Sequence, residues 1–150
     1  MGVVVVGLDS SETSHRAFRE AIKQAEGRGG SVLAVHVVSM PVSTGYDYAG
    51  LMSDLSRVGE EVLEKEIKAL ESEYSGGFPV EVKTKMTTGH AGAQIIATAN
   101  DAGDGPAEMV VLGSRGHGGF KGLLLGSVST YAAHHLTCPL LVVPATDAES

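Results

Sequence analysis

The chain has 150 residues, 43% of them hydrophobic and 19% charged, a composition that supports one domain with a sizeable core and excludes intrinsic disorder. Its net charge of −7, from 11 Lys and Arg against 18 Asp and Glu, comes without a basic stripe or any tryptophan, so nucleic acid is not an expected partner. No apolar run approaches the ~20 residues needed to cross a bilayer, so no membrane partner is expected either.

Val3 to Leu8 is an unbroken apolar, β-branched run and predicts a strand buried on both faces. Asp9-Ser10-Ser11-Glu12 then supplies N-cap candidates and an acid for a first helical turn. Ala17, Phe18, Ala21, Ile22 and Ala25 follow at helical spacing until Gly29-Gly30, and Ser31 to Val38 is a second apolar strand. Met40 to Gly50, with Pro41, Gly45, Tyr46 and Tyr48, reads as a long loop. From Leu51 to Leu70, apolar residues among many charges predict an amphipathic helix, which Gly76-Gly77 ends.

Val80, Val82, Thr84 and Met86 alternate with Glu81, Lys83 and Lys85, the pattern of a strand with one wet face near a sheet edge. Ala91 to Asn100 suits a helix, Asp101 to Pro106 a loop and Met109 to Leu112 a fourth strand. A glycine-rich loop follows, then a helix from about Ser127 to Leu136 and a last strand, Leu140 to Val143, between Pro139 and Pro144. The order β-α-β-α-β-α-β-α-β predicts a single doubly wound α/β domain over residues 1–150, a five-stranded parallel sheet with helices on both faces.

In such a sheet, ligands sit beyond the carboxyl ends of the strands, where the strand order reverses. Two segments bring chemistry there. Asp9, with Ser10 and Ser11, fits either a ribose or cation ligand or a plain helix cap. Gly113-Ser-Arg115-Gly116-His117, continuing through Lys121 to Gly126-Ser127-Val128-Ser129, has glycines that let backbone amides approach an anion at the start of a helix. Glycine content alone also fits an ordinary surface loop. The segment is no Walker A loop, since Gly-Lys-Ser and Gly-Lys-Thr are absent, and no Gly-x-Gly-x-x-Gly opens the first helix. A grip made of amides and hydroxyls holds a triphosphate while stabilising a transition state poorly.

These residues resemble the universal stress protein family in its ATP-binding branch, a Rossmann-like fold related to the adenine nucleotide alpha hydrolases. Gly113, Gly116 and Gly126-Ser127 match its motif of Gly, two residues, Gly, nine residues, then Gly-Ser or Gly-Thr. The resemblance runs from Val-Gly-Leu-Asp9 with Ser11-Glu12, through Ala34 to Val37, to Cys138-Pro139 and the final strand. It implies that ATP is bound with Mg2+ or Mn2+, with Asp9 at the ribose or the metal-phosphate end and Ser11 beside it. It implies that backbone groups of Val37 read adenine, that Gly89 lies at ribose or adenine, and that Gly113, Arg115, Gly116, Gly126, Ser127, Val128 and Ser129 surround the phosphates. It also implies a homodimer paired through Leu140 to Val143, and a role in stress response or regulation with little or no hydrolysis. Two departures stand out. Gly89-His90-Ala91-Gly92 replaces the usual Gly-x-Pro turn, and the Asp101 to Pro106 stretch is longer, with Glu108-Met109 where Asp-Leu is common.

Other residues carry less. His117 and Lys121 suit either a γ-phosphate contact or a solvated loop, and Tyr46 and Tyr48 either a flap or a mobile surface loop. His134 and His135 point about 100° apart, given ~3.6 residues per helical turn, and make poor joint ligands. His36 reads as a satisfied core histidine, and a single cysteine, Cys138, leaves no zinc pattern and no internal disulfide. With no basic n-region before the first strand and Val6 where myristoylation wants Ser or Thr, the expected location is the cytoplasm. The alternatives are a slow ATPase, an autophosphorylating or nucleotidyl-transferring enzyme, and an FMN carrier of flavodoxin type. The last is disfavoured by only three Phe and four Tyr to flank a flavin.

Overall fold

The computed structural model describes residues 2–39, 48–115 and 125–146. Nine elements alternate along the chain: β1 (Val3–Gly7), α1 (Glu12–Arg28), β2 (Ser31–Val38), α2 (Tyr48–Glu71), β3 (Val82–Thr88), α3 (Ala91–Asn100), β4 (Met109–Gly113), α4 (Ser127–His135) and β5 (Leu140–Val143). The strands form one sheet in the order β3-β2-β1-β4-β5, and every pairing is parallel. This is the doubly wound α/β arrangement expected from the sequence.

The apolar run of β1 is continuous because both its faces are covered. Side chains alternate across a strand, so Val4 and Val6 face one layer and Val5 the other. On the first face they meet Phe18, Ala21 and Ile22 of α1 and Leu63 and Leu70 of α2, joined by Val32, Ala34 and Val111. On the second face Val5, Val35, Val110 and Leu112 pack on Ile95 and Ala99 of α3 and Ala132 of α4.

Several boundaries differ from expectation: β1 ends at Gly7 rather than Leu8, β4 at Gly113 rather than Leu112 and α4 at His135 rather than Leu136, and α2 and β3 differ by more. Helix α2 begins at Tyr48, taking in three residues assigned to the loop, because a long amphipathic helix propagates through poor formers such as Gly50. Strand β3 starts at Val82 and continues to Thr88, past Met86, because β2 offers ladder partners as far as Val38↔Thr88. It is an edge strand, as its alternation indicated, with Lys83, Thr84 and Lys85 exposed. Among the described residues, no helix is long and apolar enough to cross a membrane.

The chain winds from β1 outward to β3, then returns to place β4 on the other side of β1 and continues to β5. The order therefore reverses between β1 and β4. Their carboxyl ends, Gly7 to Asp9 and Gly113 to Arg115, border the crevice where such folds take ligands.

Candidate functional site

The turn from β1 to α1 is tied down by short-range hydrogen bonds. Leu8 N donates to Val35 O at 2.8 Å, and His36 Nδ1 donates to Leu8 O at 2.9 Å, so His36 is the satisfied histidine expected. Asp9 Oδ1 accepts the Ser11 backbone N–H at 3.0 Å and the Ser11 hydroxyl at 2.5 Å. Ser11 Oγ in turn accepts from Ser14 N at 3.1 Å and is the N-cap of α1. Ser11 therefore does cap the helix, and in doing so it fixes the orientation of the Asp9 carboxylate.

Between them sits Ser10 with φ +70°, the one non-glycine residue with positive φ among the described residues. Glu66 of α2 reaches it, accepting from Ser10 N at 3.2 Å and from Ser10 Oγ at 3.2 Å. The same carboxylate accepts from His15 Nε2 at 2.8 Å, and the Glu66 side chain is only 5% exposed. Neither Glu66 nor His15 is singled out by sequence motifs. The available signal is that Gly59, Leu63 and Leu70 mark the buried face of α2, and Glu66 falls on it.

Across the crevice, Gly113 ends β4 beneath the first turn of α1. A Cβ there would lie 2.6 Å from Thr13 Cγ2 and 3.3 Å from the Thr13 carbonyl carbon, so the close approach requires glycine. Ser114, buried, donates its N–H to Val143 O at 2.8 Å and accepts Ala145 N on Oγ at 3.1 Å. Its carbonyl accepts from Gly126 N and from Ser129 Oγ, the latter at 3.1 Å, which draws the start of α4 back against the end of β4. Helix α4 has Gly126 as its N-cap and no side-chain cap hydrogen bond. Ser129 is buried with its hydroxyl directed at the Ser114 and Gly126 carbonyls, while Ser127 is exposed and Arg115 and Val128 are half-buried. Gly116, His117 and Lys121 lie outside the described residues.

On the other flank Val37, near the end of β2, pairs with Thr87, and Gly89 follows β3 with φ +127° and its N–H donated to Val38 O at 3.0 Å. Next comes the departure from Gly-x-Pro. His90 is the N-cap of α3, and its Nδ1 accepts from Ala93 N at 3.0 Å, so an imidazole does the capping. The His90 ring meets Tyr131 edge-on at 4.9 Å, and Tyr131 stacks on His135 at 4.1 Å. Gly92 is what lets α4 come so near, since a Cβ there would sit 2.6 Å from the Tyr131 ring.

Because all five strands run the same way, Asp9, Ser11, Val37, Gly89, Gly113 and Arg115 share one edge of the sheet. The first turn of α4, Gly126 to Ser129, is held to that edge through Ser114. His134 and His135 instead bond separate backbone carbonyls, Thr130 O and Tyr131 O. Among the described residues no group of three or more His, Cys, Asp or Glu side chains is placed to hold a metal ion. Burial pushes the Cys138 thiol up from its ordinary pKa, away from reactive thiolate.

Comparison with known proteins bears on this geometry. A family model described as the Universal stress protein family matches residues 1–144. The chain belongs to the universal stress protein family. A universal stress protein of Methanocaldococcus jannaschii is 31% identical over 144 residues, covering 93% of this chain and 80% of that one. In structure, this chain is similar to universal stress protein UspA from Lactobacillus plantarum, with TM-score 0.81, 20% identity and coverage of 95% of this chain and 97% of UspA. Two other solved structures of similar fold hold nucleotides. One universal stress protein is in complex with cAMP (TM-score 0.61, 21% identity, 97% and 98% covered). A family protein from Arabidopsis thaliana has AMP bound (TM-score 0.61, 16% identity, 99% and 95% covered).

Proposed function

We propose that this universal stress protein binds an adenine nucleotide, with ATP and Mg2+ (or Mn2+) as the working ligand, and acts as a nucleotide-dependent regulator in the stress response. The observation that carries this reading is the start of α4, a helix N-terminus capped by glycine rather than by a side chain and tied through Ser114 to the end of β4, which borders the switch point. Such an end offers backbone amides and the positive end of the helix dipole to a phosphate. In this reading the amides of Ser127, Val128 and Ser129, with the Ser127 hydroxyl, hold the phosphates beside Gly113, Arg115, Gly116 and His117. Ser129 contributes its amide, because its hydroxyl is already directed at two carbonyls.

Asp9 takes a ribose hydroxyl or the cation, the Val37 backbone reads adenine, and Gly89 lines the ribose side. With one carboxylate at hand, the cation is held chiefly by phosphate oxygens and water, as is usual for Mg2+. The relatives found with cAMP and AMP support an adenine ligand. The protein works in the cytoplasm as a homodimer through β5, an edge strand whose four residues, Leu140 to Val143, are all half-buried in the single chain. Hydrolysis is absent or slow, because amides and hydroxyls replace the phosphate-binding lysine.

The test is chemical. Ligand released on denaturing the purified protein is identified by mass spectrometry, and thermal shift is measured with Mg-ATP, AMP and cyclic AMP. Released adenine nucleotide, or a shift of several degrees with Mg-ATP as the largest of the three, is the expected result. No nucleotide and no shift sinks the reading. Phosphate release at the blank rate is expected in a steady-state assay.

A further inference from the structure

Ser10 presents a physical problem that the chain solves from a distance. An L-residue other than glycine resists φ near +70°, because its Cβ crowds the neighbouring carbonyl. Ser10 is exposed, so no packing around its side chain holds it there. What it has is Glu66, 56 positions along the chain, accepting both its backbone N–H and its hydroxyl at 3.2 Å. Glu66 occupies the buried face of α2 between Leu63 and Leu70, both core residues, where a leucine would serve packing better. A buried carboxylate is costly unless its oxygens are satisfied, and here Ser10 and His15 satisfy them.

We propose that Glu66 is a positioning residue for the ligand site. By holding Ser10 in the left-handed conformation it sets the path of the chain between Asp9 and Ser11, and so aims the Asp9 carboxylate. Affinity for nucleotide then depends on α2 although Glu66 itself touches only the turn. His15 shares Oε1 of the carboxylate with the Ser10 N–H, donating from Nε2 while its Nδ1 lies 3.7 Å from Glu12, so Glu66 cannot swing away without abandoning both partners. The inference rests on the nucleotide reading for its affinity consequences, but its structural half stands on the free protein.

The experiment uses the intact chain and four variants, Glu66→Leu, Ser10→Gly, Ser10→Val and the double variant Glu66→Leu/Ser10→Gly. Affinity for Mg-ATP is measured by calorimetry, and amide hydrogen exchange at Ser10 and Ser11 is followed in ligand-free protein. Leucine in Glu66→Leu fits between Leu63 and Leu70 but accepts from none of the three donors, so about tenfold weaker binding is expected, with faster exchange at Ser10 and Ser11 and unchanged exchange in β1. Ser10→Val leaves the core intact, removes the hydroxyl bond to Glu66 and makes the left-handed conformation harder, and a similar loss is expected.

Ser10→Gly removes the conformational problem and should bind within about threefold of the original. The double variant should recover to the same level. That recovery is the outcome a merely structural Glu66 would not produce, and its absence overturns the proposal. So does original affinity in Glu66→Leu or in Ser10→Val. If the original protein binds no nucleotide, the functional reading fails while the exchange data still decide the positioning. Unchanged exchange at Ser10 and Ser11 in Glu66→Leu overturns it outright.

Discussion

Two helices begin at the crevice, and their N-termini are built in opposite ways. At α1, Ser11 caps the helix, Asp9 braces Ser11 and Glu66 holds the residue between them. At α4 the N-cap is Gly126, with no side chain on the helix end. Free N-terminal amides are a feature every helix must resolve, by a cap, by water or by a ligand. The contrast assigns the two walls different work. One is preset by the protein's own hydrogen bonds to orient an acid, and the other, in the proposed function, is where an anion binds.

Breaking the packing between the walls should have the largest effect. Gly113→Val places a side chain against Thr13, where even a Cβ would sit 2.6 Å from Cγ2. Overpacking of this kind should cost about 1–3 kcal/mol in urea unfolding and abolish nucleotide binding in the same preparation. Exchanging the character of the α4 wall sharpens the comparison further. Gly126→Asp is compatible with φ −79° and ψ 177°, and it supplies the missing cap. Stability should hold or rise by about a few tenths of a kcal/mol, while affinity for Mg-ATP falls roughly tenfold as the carboxylate competes for the phosphate amides. Equal or tighter binding in that variant would remove α4 from the site.

Ser11→Ala strips the cap from the other wall. Loss of the bond to Ser14 N should cost about 1 kcal/mol by denaturant titration, the usual worth of an N-cap hydroxyl. The smallest effect belongs to a tether away from the crevice. Arg19 makes a two-pronged pair with Glu73 at 2.7 and 3.0 Å, binding α1 to the turn after α2. The Arg19 hydrogen bonds hold Glu73 below the usual carboxylate range. A group lowered on folding contributes fully above its unfolded pKa, and that contribution fades as pH falls through the folded value. A double-mutant cycle of Arg19→Met with Glu73→Gln should therefore give a coupling of about 0.2–1 kcal/mol near neutral pH, shrinking in acid. Coupling that grows in acid would contradict the assignment.

Much of this molecule was legible in its sequence, and the reasons are local. The bounds of α3 and β5 are as expected because Ala91 to Asn100 and Leu140 to Val143 are delimited by their own neighbours, Gly89 and the two prolines. The start of α2 and the end of β3 were not legible, since the first depends on helix propagation and the second on the length of a partner strand. At the site, the motif glycines and Asp9 stand out because their chemistry depends on short spacings. Glu66 does not, lying among Glu60, Glu61 and Glu64, where only the burial of Leu63 and Leu70 distinguishes it. His90 as a cap was equally hidden, for imidazole is not a residue that sequence rules expect in that role.

The closure of Ser114 on Gly126 and Ser129 bears on how this protein can change over time. Those bonds make a neck that joins β4 to α4 without help from the chain between them. A loop pinned at its neck can be lengthened cheaply, at about 0.6 kcal/mol for each doubling. Folding therefore sets little limit on the number of residues between Arg115 and Leu125.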